Sequence, residues 1–567
     1  MNEEKIDLRH PYLTRQIIAY IGNKRRLLPL IHTALVKCGY ENQRETSFLD
    51  LFAGSGVVSR LARLLNFRVV SNDWEYYTYV INKAYLGIEQ KELRLMFREQ
   101  GGLEKLLDSL NSVADVPAED QYVSRYYSPS SEANNLDFKR ERMFYTRRNG
   151  LAIDRIRNRI EELYPEEKVR RVPANQKEKY LLLALLLYES ATHTNTSGVF
   201  KAYHKGFGGH GGDALRRILA AIELRAPVLI NCRYPSEVYC EDALALISSD
   251  QMKNRRWDIA YLDPPYNQLQ YGSNYHLLNT IALWDRPPVD NSLNERGVLK
   301  DKAAIRKDWT QTRSDYCYRE SAEVAFSRLI DTFDAAHILL SYSTEGLIPF
   351  EALMDICTRR GELEIVTNQY VKYPGGKQSI SRAVRNIEFV LIVHTGKKNR
   401  RGSLRKIELM LLRRRLGLLL DKKYSYEKLK QNFAVHREDR TFELEGAQIR
   451  IATRHFFELI PPYDFERLSE KDLDELTGRL EKSLCGDKEE ELQEIMRIIE
   501  EGESDRAYFV RKIPATLKKF AHKKYRALFS HWIERVKALK VHEQELYALI
   551  EGKIEELETL ALKRFTN

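Results

Sequence analysis

The chain has 567 residues, and 91 Lys plus Arg against 81 Asp plus Glu leave a net charge of +10. Its 43% hydrophobic and 30% charged residues suffice for a sizeable core and more than one domain, while 28 Gly and 17 Pro are too few for a fibrous or low-complexity polymer. The longest strongly apolar stretch, Tyr180 to Tyr188, is nine residues long, whereas a bilayer span needs about 20, so no membrane helix is expected.

The N-terminus is charged and has no apolar signal region, which points to the cytoplasm. Cys38, Cys232, Cys240, Cys317, Cys357 and Cys485 are scattered without a CxxC pair, which argues against zinc and against a disulfide framework and leaves them as buried thiols.

In chain order, a helical segment from Ile17 precedes a buried strand, Thr46 to Phe52. The turn Ala53-Gly54-Ser55-Gly56 follows, then a helix over VVSRLARLLN and a second strand, Phe67 to Ser71, ending at Asn72 and Asp73. Further strands are expected at Trp257 to Leu262, at AHILLSYS from 336 and at IEFVLIVH from 387, each after helical sequence. Strands alternating with helices predict an α/β fold with a Rossmann-like, doubly wound, mostly parallel sheet.

The stretch of about 150 residues before Tyr234 is too long for a simple connection. The expected layout is a catalytic part over 1–88, an inserted domain over 89–233, a second catalytic part over 234–395 and a basic, mainly helical domain over 396–567.

Asp50-Leu51-Phe52-Ala53-Gly54-Ser55-Gly56 offers a strand-to-helix turn at which backbone can approach a ligand. By itself it fits a structural turn or a nicotinamide site equally well. Asp73 lies 17 residues past Gly56 at the end of the next strand, near the ~20-residue spacing of carboxylates that bind ribose hydroxyls, so an adenosine-containing cofactor is indicated.

Asp263-Pro264-Pro265-Tyr266 joins a carboxylate, a proline-rigidified backbone and an aromatic face at a strand's carboxyl end. An exocyclic amino group such as adenine N6 is a poor nucleophile because its lone pair is delocalised into the ring. The Asp263 carboxylate and the Pro264 carbonyl can accept both of its N–H bonds and aim the lone pair at an electrophilic methyl, while Tyr266 stacks on the base. A proline-terminated strand with a capping aspartate is the bland alternative.

Five segments, AYIGNKRRLLPLI from Ala19, LDLFAGSG from Leu49, NDWEYYTYVINKA from Asn72, NTSGVFKAYHK from Asn195 and LDPPYNQLQYGSNYH from Leu262, occur in the order of the motifs of D12-class adenine-N6 DNA methyltransferases, which the chain resembles over roughly 15 to 395. The resemblance implies a class I S-adenosylmethionine-dependent fold with an inserted DNA-recognition domain. It implies that Tyr20 and Lys24 contact S-adenosylmethionine, that Asp50, Phe52, Gly54 and Gly56 form the methionine side of its pocket, that Asp73 holds the ribose, and that Asp263, Pro264, Pro265 and Tyr266 are catalytic, with Asp263 also facing the cofactor. Asp242 resembles an acidic residue near the adenine ring, although a helix cap explains it equally well.

No metal is expected, and no general base needs a special pKa, since the site supplies positioning and electrostatics. The target base must leave the duplex, with Tyr266 the first stacking candidate and Tyr271 and Tyr275 as alternatives that packing would also explain. Arg147 and Arg148 are candidate DNA contacts, since arginine forks suit guanine edges and phosphates. The resemblance implies that Asn195, Lys201 and Tyr203 also lie at the DNA side, with Gly206 to Gly212 expected as a mobile loop able to approach the backbone.

Residues 511 to 540 hold ten basic residues against the single acid Glu534, balanced in the same domain by an acidic stretch from 464 to 505. The expected partners are double-stranded DNA and a separately encoded restriction endonuclease, in the cytoplasm of a bacterium or archaeon. Cytosine-N4 methylation and a catalytically silent DNA-binding module are the competing readings.

Overall fold

The computed structural model describes residues 6–40, 45–112, 114–131, 136–209, 212, 214–367, 387–398, 403–446, 449–463, 465, 468–502 and 504–566. Seven strands form the main sheet: β1 (Ser47–Asp50), β2 (Arg68–Asn72), β3 (Glu237–Tyr239), β4 (Arg256–Leu262), β5 (Asp334–Ser343), β6 (Glu362–Thr367) and β7 (Glu388–His394). Their order is β3-β2-β1-β4-β5-β7-β6. The first five run parallel, and β7 lies antiparallel between β5 and β6.

Both faces of this sheet are covered. Phe48, Val69, Ile259, Tyr261 and Leu339 join one apolar cluster with Ile31, Val58 and Leu61 from the helices Leu28–Lys37 and Val57–Leu64. Their strand neighbours Leu49, Val70, Ala260, Leu262 and Leu340 alternate to the other face and are equally buried. Strands apolar on both faces are the pattern of a parallel sheet between helical layers.

The strand ends differ from the sequence reading by one to two residues, β1 being Ser47–Asp50 where Thr46 to Phe52 was expected. Two strands were not foreseen. β3 has three residues and β6 alternates charged Glu362 and Glu364 with buried Leu363 and Ile365, so neither carries a long apolar run.

The segment 89–233 contributes two long helices, Arg147–Leu163 and Pro173–Thr192. The second packs on helix Tyr76–Gly87, and its Leu181 to Leu187 run enters the same apolar cluster as the sheet. The segment therefore shares a core with the sheet, and both fall in one compact unit that runs to residue 403.

The described residues from Leu404 onward form the body of a second compact unit, to which Ile387 also belongs. Beyond the helices expected there, it holds a four-stranded antiparallel sheet: β8 (Ala434–His436), β9 (Thr441–Leu444), β10 (Ile449–Arg454) and β11 (Glu458–Leu459). The mainly helical expectation is corrected to this extent. The alternation of buried Phe442 and Leu444 with partly exposed Glu443 was a strand signal in a stretch read as helical. No helix among the described residues is long and apolar enough to cross a membrane. All six cysteines are unpaired; Cys317, Cys357 and Cys485 are buried, and the other three only partly so.

Candidate active site

Because β2, β1 and β4 are adjacent and parallel, their carboxyl ends bring Asp73, the glycine turn and Asp263 to one rim of the sheet. A cavity opens there, lined from the β1 end by Leu51 and Phe52, from the β2 end by Asn72 to Glu75, and from the β4 end by Asp263 to Tyr266. Tyr20, Gly22 and Lys24 close it from the N-terminal segment. The sheet order thus gathers residues spread over most of the first unit.

Local chemistry fixes each wall. Gly54 and Gly56 sit at φ +50° and +73°, and a Cβ would lie 2.1 Å from the Tyr20 hydroxyl in one case and 1.9 Å from Asn82 Oδ1 in the other. Only glycine allows this left-handed turn at such close approach. The Asp73 carboxylate braces it, accepting from Gly54 N at 2.8 Å and from Glu75 N at 2.9 Å. The Asn72 amide ties the β2 end to the β1 end by donating to Leu51 O at 3.2 Å, and to the β3 end by donating to Glu241 O at 3.0 Å.

Asp50 lies deeper than expected. It is fully buried beneath the turn, where Oδ2 accepts from the Ser59 hydroxyl at 2.6 Å, and burial pushes its pKa up to about 7. Neither Asp50 nor the two glycines line the cavity; they shape the turn that carries Leu51 and Phe52 into it.

The N-terminal wall is held by two devices. Buried Arg60 donates to the carbonyls of Tyr12, Arg15 and Gln16, fixing the path into the segment. Asn23 then accepts from Arg25 N at 2.8 Å and donates to Ile18 O at 2.8 Å, which turns Lys24 inward. Lys24 Nζ ends 2.9 Å from Asp263 Oδ1 and 4.9 Å from the centre of the Tyr266 ring.

Burial pushes the Asp263 carboxyl up to about 6, against the pull of the Lys24 charge. Burial is the largest single influence on Lys24 and works against its charge, but Asp263, Tyr266, Tyr261 and Glu388 together outweigh it and hold the ammonium well above its ordinary range. Lys24 is thus a fixed cation beside the carboxylate.

Several lining residues carried no sequence signal. Glu75, buried between Asn279 Nδ2 at 2.6 Å and Thr312 Oγ1 at 3.0 Å, has its pKa pushed up to about 7 by burial. Tyr316 meets Phe52 edge to face at 5.2 Å. Thr312 and Ser314 arrive from a loop far along the chain, and only the fold reveals them. Asp242 both caps helix Ala243–Ser248, accepting from Ala245 N at 2.9 Å, and lines the cavity. Tyr275 is packing, its hydroxyl accepting from Ile21 N at 2.7 Å, whereas Tyr271 reaches the cavity.

The wall therefore carries the carboxylates of Asp73, Glu75, Glu241, Asp242 and Asp263 against the ammonium of Lys24, together with the Phe52–Tyr316 aromatic pair. An excess of negative charge beside aromatic faces fits a cationic ligand that ends in a flat base. Among the described residues no group of three or more His, Cys, Asp or Glu is placed to hold a metal.

On the expected DNA side the outcome is mixed. Arg148 and Lys201 are exposed, and Arg147 is half-buried, donating to Ser124 O at 2.7 Å. Tyr203 donates its hydroxyl towards the carbonyls of Phe138 and Glu141 at 3.1 and 3.2 Å. Asn195 as a DNA contact is corrected: it is fully buried, and its amide donates to Met143 O at 2.9 Å and His204 O at 3.2 Å. It braces the loop that carries Lys201. Of the glycine loop, His210 and Gly211 lie outside the described residues.

With this geometry in hand, comparison with known proteins is decisive. Residues 20–302 match the model of the D12 class N6 adenine-specific DNA methyltransferases. Type II methyltransferase M.NlaIII of Neisseria lactamica is 32% identical over 358 residues, covering 63% of this chain and 93% of that protein. Type II methyltransferase M.CviAII of Paramecium bursaria Chlorella virus 1 is 28% identical, with 66% and 98% covered. M.FokI of Planomicrobium okeanokoites is 31% identical over 60% of this chain, which spans only 47% of that longer relative.

The chain belongs to the D12 class N6 adenine-specific DNA methyltransferase family. It is an adenine-specific DNA methyltransferase.

Proposed function

We propose that the cavity at the β1–β2–β4 rim binds S-adenosylmethionine and a flipped-out adenine of duplex DNA, and that Asp263 to Tyr266 hold the reacting amino group. The observation that carries this is the position of Asp263-Pro264-Pro265-Tyr266 on the wall of the cavity that Asp73, Phe52 and Tyr20 also line. S-adenosylmethionine, when bound, supplies an electrophilic methyl.

The chain's own residues do the rest. Tyr20, Leu51 and Phe52 confine the cofactor, the last two carried into the cavity by the turn at Gly54 and Gly56, with Asp73 and Glu75 on the side of its ribose. The Asp263 carboxylate and the Pro264 carbonyl accept the two amino N–H bonds, and Tyr266 stacks on the base. A carboxyl pushed up to about 6 is also placed to receive the proton that the amino group sheds.

Stacking offsets part of the cost of taking the base out of the duplex. Arg148, Lys201 and Arg147 face the DNA, and 89–233 serves as the target-recognition region, with the catalytic parts 1–88 and 234–395 on either side and 396–567 as a separate module. The relatives' names, type II methyltransferase and modification methylase, support a modification role. A separately encoded endonuclease as partner and the cytoplasm of a bacterium or archaeon as location complete the proposal.

Incubation of unmethylated plasmid with the protein and methyl-labelled cofactor, followed by nucleoside mass spectrometry, tests this reading. Label in N6-methyladenine is expected, and label confined to N4-methylcytosine would overturn it.

A further inference from the structure

We propose that the second unit carries a sequence-independent docking surface for the phosphate backbone of duplex DNA, formed by Arg511, Lys518, Lys519, Lys523, Lys524 and Arg526. The proposal rests on the reading that this chain acts on DNA, but it concerns a part of the chain outside the matched 20–302 region.

The pattern begins in the sequence, where no acidic residue occurs from 511 to 533. Leu517, Phe520, Ala521 and Phe529 turn into the core of the second unit, so the cations between them are forced outward. All six are exposed. None makes an ion pair among the described residues, although the cations that follow on the same stretch are matched, Arg535 with Glu500, Lys537 with Glu558 and Lys540 with Glu551. A protein surface that neutralised its own charge would have paired the first set as it paired the second.

The scaffold under the cations is firm. Arg564 donates to Ala521 O at 3.0 Å, the Phe520 and Tyr525 rings meet edge to face at 6.1 Å, and the Arg526 guanidinium lies over Phe565 at 5.9 Å. These contacts fix the short helices Ile513–Leu517 and Lys523–Tyr525 against the helices Arg526–His542 and Glu551–Thr566. The lysines are therefore carried by helices fixed to one another.

The chemistry selects the ligand. Four of the six are lysines, point charges without the planar fork that reads base edges, which suits phosphates and confers no sequence preference. The apolar side chains between them are spent on the core, so the corner offers no apolar face to a lipid surface. The polyanion that this chain must engage is DNA.

The test uses the full-length protein and a duplex lacking modified bases, with affinity measured by fluorescence anisotropy over a range of salt concentrations. Each lost phosphate contact lowers the slope of log K against log salt by about 0.9, so a variant with Lys518→Ala, Lys519→Ala, Lys523→Ala and Lys524→Ala should show a slope smaller by about 2–4. The same four positions changed to arginine should keep the slope. Circular dichroism checks the fold, and the single substitution K519E, expected to lower the slope and the affinity, serves if the fourfold variant does not fold.

An unchanged slope in these variants, or RNA competing as well as duplex DNA, would overturn the proposal. Methyl transfer to a short duplex at saturating concentration should stay within about twofold of the unaltered chain. If the unaltered chain methylates no DNA at all, the catalytic reading fails, while the salt slope still decides the fate of this surface.

Discussion

The Lys24 ammonium lies 2.9 Å from the Asp263 carboxylate, with the two side chains only 5% and 14% exposed. A carboxylate so far from water resists ionisation, and the adjacent cation opposes that resistance. The pair therefore sets the pH range over which Asp263 is an acceptor.

The sign follows. The ionised Asp263 carboxylate is the stronger acceptor for an amino N–H and the form that can take its proton, so kcat/KM should fall as pH drops through about 6. K24M removes the charge that favours the carboxylate, so the acid limb should move to higher pH by about one unit or more. A profile that K24M leaves in place would separate the two residues functionally.

D263A removes an acceptor used in the transition state but not needed to hold the cofactor. It should lower kcat by about 100-fold or more, as loss of one preorganised hydrogen-bond partner does, with cofactor affinity largely kept. Calorimetry beside a methylation assay separates the two effects. Equal loss of both would make Asp263 a structural residue, for instance because its removal leaves the buried Lys24 charge uncompensated.

G56A places a Cβ 1.9 Å from Asn82 Oδ1 at a φ of +73°. Strain and the displaced Asn82 together should cost about 2–3 kcal/mol of stability. Denaturant titration of the purified variant measures this. A loss below about 0.5 kcal/mol would mean that the turn relaxes freely.

The buried Glu75 carboxyl, pushed up to about 7, predicts how stability varies with pH. A carboxyl whose folded pKa is raised binds more protons folded than unfolded between about 4 and 7, so its contribution is full below that window and is lost as pH rises through it. E75Q does not titrate, so its Tm should vary less between pH 5 and 8 than that of the unaltered chain. Parallel Tm curves would show that Glu75 is already ionised at pH 5.

The carboxyl-end residues were legible because each motif combines a strand end with a chemical signature, as in Leu49 to Gly56 and Leu262 to Tyr266. Asp73 followed from spacing alone. Glu75, Thr312 and Tyr316 were not legible, because a single polar or aromatic residue on a helix or loop has no pattern until topology brings it to the rim. Asn195 looked like a surface contact in a polar loop, but its amide satisfies two buried carbonyls, and sequence does not distinguish those fates.

Strands β3 and β6 escaped notice because they are short or half charged, whereas the apolar runs of β4, β5 and β7 stood out. In the second unit the alternation of β9 and β10 is short and lies amid charged, helix-rich sequence, so the antiparallel pair carries little signal of its own.

The account's central claim is methyl transfer to adenine N6 of DNA at a rim built around Asp263. Long-read sequencing of DNA from an unmethylated host that expresses the chain, with D263A expressed in parallel, tests it most directly. The account predicts N6-methyladenine confined to one sequence motif in the first culture and absent from the second. Modified adenine in both cultures, or a soluble, cofactor-bound protein that leaves the host DNA unmodified, would contradict it.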